Sequence, residues 1–399
     1  MTKVCTFSDL HLKHSSPYDR EPGDRLEDQV RVGQRIVEIA RERECSLILN
    51  AGDTFEGPIV QPEEYAAYLR AFAEIGSPMI TLLGNGRHDL AKRSVSAPSI
   101  VGDVQLAPGI VVKAGVVIAC LPWCPIDRLV AARNGGERAD INREAAAHLI
   151  SIAQELRREC AEKFPDLPAI LLGHWSVEGG VTATGAETIS FAEPILPLAD
   201  LEALGFAAVF MGHVHKPQQL GQYPSGHPSD NGRPIIIPGS PLPLSFGEAG
   251  DHGVWIFDTD SGACEFVPIE SRAFVTLDRD WSVTPEAGLS DPMDIFGYGD
   301  DLSVLQDAII RVRYTATAEQ AKRIDQRKLR DALYAAGAHK VYAIEANVER
   351  ETRARVAGAR EDLDVSEALD LWITSQEIDV ETAERLHDRT RQYVQGERS

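Results

Sequence analysis

Short apolar runs recur along the first two thirds of the chain, and helical patterns separate them. Five runs, each followed closely by a polar residue, span 4–7, 46–50, 79–83, 169–172 and 207–211. Apolar positions recur at a helical period over 24–44, 62–75 and 141–164. Short apolar runs bounded by turn residues are typical of buried strands. The alternation of strand and helix therefore predicts an α/β fold with a largely parallel sheet.

Further strand patterns follow at closer intervals, which indicates some antiparallel pairing. They cover 104–106, 109–113, 116–121, 219–223, 234–237 and 253–258. Residues 176–190 are rich in Gly, Thr and Ser and favour a surface loop. We expect residues 1–272 to form one domain, a two-sheet sandwich flanked by helices.

The pattern changes after about residue 272. Residues 273–304 are acidic and contain Gly and Pro, which is typical of a linker. Residues 305–361 predict a small α+β domain, and 362–399 predict amphipathic C-terminal helices. The elements predicted inside the small domain are strands at 308–314 and 340–345 and a basic helix at 318–336.

Seven oxygen and nitrogen donors follow the predicted strands, most of them beside a glycine. They are Asp9, His11, Asp53, Asn85, His174, His213 and His215. In open α/β sheets, functional groups gather at the carboxyl ends of the strands. Asp-x-His or His-x-His alone is a weak signal, but the joint order of these motifs is a strong one. Seven donors exceed the needs of one metal ion, so the sequence predicts two.

The donor types indicate the ions and their chemistry. Carboxylate, amide and imidazole ligands without thiolate suit manganese, iron or zinc rather than calcium. Two such ions about 3.5–4 Å apart can hold a phosphate and activate a water. One carboxylate must bridge the two ions, and Asp53 is the natural choice.

Composition limits the partners and the compartment. The 399 residues carry a formal net charge of −21, which argues against a general polyanion-binding surface. Charge is uneven, since residues 305–361 hold 12 Lys and Arg against 8 Asp and Glu. No apolar run is long enough to cross a bilayer, and neither a signal-peptide pattern nor a Cys-x-x-Cys pair is present. We therefore expect a cytoplasmic protein without membrane contact or disulfides.

The seven donors and their flanking residues resemble the motifs of the calcineurin-like metallophosphoesterases. The string PGSPLPLSFGE at 238–248 is further similar to the one that follows the histidines in SbcD nucleases of double-strand break repair. The resemblance covers residues 1 to about 270. It implies one ion held by Asp9, His11 and His215, another held by Asn85, His174 and His213, and a bridge through Asp53.

The chain departs from the family pattern directly after the asparagine. Family members carry a histidine there that acts on the phosphate and the leaving group, whereas here Gly86 and Arg87 precede His88. His88 is our candidate for the acid, because glycine permits a sharp turn that could restore its position. Arg87 is the alternative, as a positive charge beside the phosphate.

By the same resemblance, the chain is predicted to be the manganese-dependent nuclease subunit of an SbcCD-like repair complex. The implied activities are 3′–5′ double-strand exonuclease and single-strand endonuclease, using a hydroxide activated by two metal ions. The implied partners are double- and single-stranded DNA, an SbcC-type coiled-coil ATPase and a second copy of the chain. Domain order implies that 305–361 caps the nuclease domain and contacts DNA, and that 362–399 binds the ATPase. Two alternatives stay open: a phosphodiesterase of small nucleotides, and a non-catalytic metal-binding scaffold subunit.

Overall fold

The computed structural model describes eleven parts of the chain. They are residues 2–14, 25–57, 59–85, 103–126, 130, 138–182, 193–220, 233–248, 250–282, 302–349 and 363–396. Packing divides the chain into two compact units. The first comprises Met1–Leu277, Asp300–Arg311 and Arg330–Ala343, and the second comprises Asp278–Gly299, Val312–Leu329 and Ile344–Ser399.

The first unit contains two sheets with helices outside them. Its strands are β1 (Lys3–Phe7), β2 (Cys45–Asn50), β3 (Met79–Leu82), β4 (Asp103–Gln105), β5 (Gly109–Lys113), β6 (Val116–Leu121), β7 (Ala169–His174), β8 (Ser176–Val177), β9 (Ile195–Leu196), β10 (Ala208–Gly212), β11 (Gln218–Leu220), β12 (Ile235–Ile237), β13 (Gly253–Asp258) and β14 (Cys264–Pro268). Its helices are α1 (Leu26–Glu42), α2 (Pro62–Ala71), α3 (Arg138–Lys163) and α4 (Leu198–Ala203).

The strands form two six-stranded mixed sheets and one small pair. The orders are β14-β13-β1-β2-β3-β4 and β11-β12-β10-β7-β6-β5, while β8 and β9 pair separately. β1, β2 and β3 are parallel, as are β6, β7, β10 and β12. The α/β two-sheet sandwich flanked by helices, predicted from the sequence, is confirmed.

Alternate residues of the central strands face different cores. On β7, Ile170 and Leu172 lie in the core between the two sheets, whereas Leu171 packs on the side of α3. On β1, Val4 faces the core between the sheets and Cys5 packs on the side of α1 and α2. Because both faces are buried, these strands have continuous apolar sequences rather than alternating ones. The same burial holds the strand ends in place.

The outer helices lie where the helical periodicity predicts them, with somewhat different ends. α1 buries one apolar stripe that includes Val30, Ile36 and Val37. α2 begins at Pro62, and Gln61 and Glu64 form a capping box there. Local chemistry therefore fixes the start of α2, while an apolar face fixes the side of α1 that packs on the sheet.

A three-stranded sheet and four helices follow the sandwich along the chain. The sheet has the order β15-β16-β17, and the elements are β15 (Phe274–Asp280), a 3₁₀ turn (Leu302–Leu305), β16 (Ile309–Thr317), α5 (Ala318–Arg323), α6 (Gln326–Ala335), β17 (Lys340–Glu349), α7 (Val365–Ser375) and α8 (Val380–Gly396). Within the second unit, α7 packs against α8, and His387 Nε2 lies 2.9 Å from Asp370 Oδ1. The rings of Trp281 and Tyr314 also pack together in this unit, with centroids 4.7 Å apart.

Three predictions from the sequence are wrong in detail. The surface loop predicted over 176–190 begins with a buried strand, because β8 pairs with the distant β9. The linker predicted over 273–304 contains β15, which pairs with β16. The single basic helix predicted over 318–336 is divided into α5 and α6, because Ile324 is extended with φ −76° and ψ 109°. Across the described residues, no helix combines the length and the apolar character that a membrane span requires.

Candidate metal centre

The loops that follow β1 and β2 are joined by backbone hydrogen bonds. The N–H of Asp9 donates to the carbonyl of Gly52 at 2.9 Å, and the N–H of His11 donates to the carbonyl of Asp53 at 3.0 Å. The side-chain oxygen of Asn50 accepts the N–H of Gly52 at 3.1 Å. Two parallel strands therefore deliver Asp9, His11 and Asp53 to the same rim.

Four of the predicted donors have a backbone conformation that L residues seldom adopt. The φ angle is 54° at Asp9, 47° at His11, 51° at Asp53 and 102° at His213. Such residues are uncommon and cluster at functional sites, because the surrounding structure must hold them in place. Their concentration at one rim indicates that this rim is the functional site.

Glycine permits the close approach of loops from the two sheets. A Cβ atom at Gly212 would lie 2.6 Å from the carbonyl oxygen of Ala51 and 2.8 Å from Nδ1 of His174. A Cβ atom at Gly52, where φ is +108°, would lie 2.6 Å from the same His174 nitrogen. Only glycine fits at these positions without a shift of its neighbours. This explains why glycine precedes the donors in the sequence motifs.

The structure brings six of the seven predicted donors into two groups. One group is Asp9, His11 and His215, and the other is Asp53, His174 and His213; the candidate ligand atoms of each group lie within 4.8 Å of one another. The rings within each group meet edge to face. Their centroids are 5.0 Å apart for His11 and His215 and 5.3 Å apart for His174 and His213. Each group thus presents one carboxylate and two imidazoles.

The Asp53 carboxylate faces both groups. Its Oδ2 atom lies 3.3 Å from His174 Nε2 and 3.8 Å from His11 Nε2. Its Oδ1 atom accepts the backbone N–H of Asn85 at 2.7 Å. One carboxylate oxygen is therefore adjacent to an imidazole of each group, as a bridging ligand would be.

The remaining predicted site residues belong to the segment after β3. Asn85 is half-buried and reaches the centre through its backbone bond to Asp53. Arg87 and His88 lie outside the described residues. Their predicted roles at the phosphate stay predictions.

Carboxylates and burial act in opposite directions on the imidazoles. Burial lowers the pKa of His11, but Asp9 and Glu56 raise it more, to about 10. Burial also lowers the pKa of His174, and Asp53 and Asp9 raise it to about 9. Conversely, burial raises the pKa of Asp9 and of Asp53, while the histidines hold both below their usual range. The carboxylates and imidazoles of the rim therefore compensate one another's charge.

The donor set fits divalent metal ions. Asp9 Oδ1 is buried and accepts no hydrogen bond within the described part of the chain. A buried polar atom left without a partner costs about 1–3 kcal/mol, and a metal ion would provide that partner. Carboxylate and imidazole atoms without thiolate suit manganese, iron or zinc. The two groups are therefore candidate sites for two divalent ions.

Three glutamates contact the histidines of the rim, and none of them was among the site residues predicted from the sequence. Glu56 lies 2.7 Å from His11 Nδ1, Glu248 lies 3.2 Å from His215 Nδ1, and Glu193 lies 2.8 Å from His213 Nε2. Burial raises the pKa of Glu193 and of Glu248, but the histidines hold both below the usual value. Glu248 ends the 238–248 string and Glu56 follows Asp53 by three positions, so both had a sequence signal. Glu193 had none.

This fold and this donor set are those of a metal-dependent hydrolase. The chain matches the model of the calcineurin-like phosphoesterase family over residues 2–217. That range is more than half of the chain, and the protein therefore belongs to the calcineurin-like phosphoesterase family. Membership identifies it as a hydrolase of phosphoester bonds.

Several solved structures are similar to the chain at a low level. A protein from Thermus thermophilus is 11% identical, with 67% of this chain and 99% of that chain covered and a TM-score of 0.37. A dimetal phosphatase from Danio rerio is 10% identical, with coverages of 64% and 91% and a TM-score of 0.35. A novel archaeal phosphodiesterase is 12% identical, with coverages of 67% and 100% and a TM-score of 0.28. Likeness at this level does not bear on what this chain binds or cleaves.

Proposed function

We propose that the chain is the nuclease subunit of an SbcCD-like complex and cleaves DNA phosphodiesters with two manganese ions. One observation carries the hydrolytic part: a single Asp53 oxygen faces an imidazole of each ligand group. The choice of DNA as substrate is supported by the resemblance of the 238–248 string to SbcD nucleases. It implies 3′–5′ double-strand exonuclease and single-strand endonuclease activities.

The proposed roles of the side chains follow their positions at the rim. One ion would be held by Asp9, His11 and His215, the other by His174, His213 and Asn85, with Asp53 shared. When bound, such ions activate a water and neutralise the charge of the phosphate. The imidazoles are each held at their second nitrogen, which keeps the rings oriented. We retain His88 as the acid toward the leaving group, with Arg87 as the alternative contact to the phosphate.

We also propose that the C-terminal helices bind an SbcC-type ATPase. α7, which is described over its full length, buries none of its residues, and its Val365 and Trp372 are 60% and 43% exposed. On α8, Val380 and Tyr393 are also exposed. Val365 and Trp372 are seven positions apart and therefore lie on one face of α7, and an exposed apolar face favours a protein partner. The proposal includes a second copy of the nuclease subunit and a cytoplasmic location.

Net charge favours one competing function. A chain with a net charge of −21 repels a long polyanion such as DNA. A small nucleotide ester carries few charges, so this repulsion would be weaker for it. A basic surface on the proposed ATPase would remove this conflict. The competing phosphodiesterase of small nucleotides would need no ATPase, whereas a non-catalytic scaffold would bind metal and partner without forming a product.

One experiment separates these functions. The purified chain is incubated with manganese and either labelled linear duplex DNA, single-stranded DNA or bis(p-nitrophenyl) phosphate, with and without the ATPase. We expect DNA cleavage that Asp53→Ala lowers by on the order of 10³-fold, since losing the shared carboxylate removes several kcal/mol of transition-state stabilisation. Asp166→Ala is the control, because Asp166 is exposed and precedes β7 at the opposite rim.

Other outcomes would contradict parts of the proposal. Turnover of the small ester without DNA cleavage would favour the small-nucleotide phosphodiesterase. Metal binding without any product would favour the scaffold. Undiminished cleavage by Asp53→Ala, with its folding checked by circular dichroism, would reject the shared role of Asp53.

A further inference from the structure

Each of the four histidines at the rim has one ring nitrogen held by an oxygen atom. The held nitrogen is Nδ1 in three of them, with Glu56 at His11, Glu248 at His215 and the Ala51 carbonyl at His174. In His213 the held nitrogen is Nε2, and Glu193 holds it. When one ring nitrogen of a neutral imidazole donates its proton in a hydrogen bond, the other nitrogen carries the lone pair that can bind a metal ion. His213 therefore presents Nδ1, whereas the other three histidines present Nε2.

Glu193 is itself held by the small β8-β9 sheet. Ser176 of β8 pairs with Ile195 of β9, which places Glu193 next to the strand pair that follows β7. The hydroxyl of Ser176 donates to Glu193 Oε1 at 2.5 Å. Both carboxylate oxygens of Glu193 lie 2.8 Å from His213 Nε2. The carboxylate thus has a fixed direction toward one imidazole.

His213 needs such a contact more than its neighbour in the same group. The side chain of His174 is fully buried, whereas that of His213 is 19% exposed. The backbone N–H of His213 is fixed by Asp9 Oδ2 at 3.1 Å, which anchors the main chain but not the ring. Packing and the Ala51 carbonyl fix the ring of His174, and the hydrogen bond to Glu193 fixes the more exposed ring of His213.

We propose that Glu193 is the positioning residue of the second ligand group. It holds His213 at Nε2, which leaves Nδ1 as the nitrogen that would bind an ion together with Asp53 and His174. The inference rests on the two-ion centre of the proposed function and extends it to a residue outside the strand-end motifs. Glu193 acts through His213.

The test measures manganese binding by calorimetry and by electron paramagnetic resonance of the ion pair. Loss of an outer carboxylate typically costs 10–100-fold in metal affinity, so we expect Glu193→Ala to weaken one of the two ions by about that factor. The signal of two coupled manganese ions should fall accordingly. Glu193→Gln should retain most of the affinity, because its amide oxygen can still accept the N–H of His213.

Glu178→Ala is the matched control and should bind both ions normally. Glu178 adjoins β8 but is exposed, and its carboxylate accepts the backbone N–H of Leu198. The inference would be overturned if Glu193→Ala bound both ions with unchanged affinity and coupling. It would also be overturned if Glu193→Gln were as weak as Glu193→Ala, since charge rather than orientation would then matter. Wild-type protein that binds two ions but cleaves no DNA would overturn the proposed function alone.

Discussion

Buried carboxylates occur in two regions of the first unit, and they are compensated in different ways. Asp28 on α1 is 7% exposed and contacts Arg272, with Nε to Oδ2 at 2.9 Å and Nη2 to Oδ1 at 3.1 Å. Asp9 and Asp53 at the rim are surrounded by imidazoles instead. Asp9 Oδ1 accepts no hydrogen bond within the described residues.

The difference separates a structural pair from a site. A guanidinium keeps its proton at every pH at which proteins fold, so the pair of Asp28 and Arg272 is complete within the chain. An imidazole can lose its proton and bind a metal ion instead. Carboxylates that are surrounded by imidazoles can therefore bind a metal ion together with them. The partner of a buried carboxylate, rather than its burial, shows which region is functional.

The largest expected effect is at the rim. Asp9→Asn keeps the shape of the side chain but removes the charge, so we expect hydrolysis to fall on the order of 10³-fold. Manganese at a free concentration of about 100 times its Kd adds about 2.7 kcal/mol to the free energy of unfolding. A chelator removes that increment. The chelator-sensitive part of the Tm should become smaller in Asp9→Asn, because Asp9 belongs to one ligand group and the group of Asp53, His174 and His213 keeps its donors. A Tm that falls on chelation as much as in the wild type would contradict this assignment of Asp9.

The second effect is a loss of stability without a loss of metal binding or hydrolysis. Asp28→Ala removes the contacts of Asp28 with the buried Arg272, which keeps its contact with the exposed Asp307, so we expect a cost of about 3 kcal/mol, the lower end for breaking a buried pair. The midpoint of urea unfolding should fall, while metal binding and hydrolysis per folded molecule stay unchanged. Glu162→Ala removes an exposed pair with Arg158 and should leave the midpoint of urea unfolding almost unchanged. Loss of metal binding in Asp28→Ala would show that the two regions are not independent.

The smallest effect is the pH dependence that Asp28 contributes to the free energy of unfolding. Burial raises the pKa of Asp28, but Arg272 and Arg31 together lower it more, so the folded pKa lies below the unfolded value of about 3.9. The contribution of Asp28 is therefore present above that value and is lost as the pH falls through the folded pKa. The stability difference between wild type and Asp28→Asn should shrink from about pH 7 to about pH 3 in urea unfolding. An equal difference at both pH values would mean that the Asp28 charge is not what stabilises the pair.

The sequence by itself determined the sandwich, because strands buried on both faces leave continuous apolar runs such as 169–172. It also located the loops of the rim, since Gly52 and Gly212 must be glycine where two loops approach His174. It could not place Glu193, whose contact with His213 depends on a strand pair at 176–177 and 195–196 that leaves no periodic signal.

Only the tertiary structure decided which nitrogen each imidazole presents and which buried carboxylate is already paired. Asp28 and Arg272 are far apart in the chain, and neither residue differs in sequence from an ordinary surface charge. Hydrogen bonds and ion pairs act over a few ångströms between atoms whose separation is set by the packing of whole sheets. Apolar periodicity is a local property of the chain, whereas the partner of a buried charge is not.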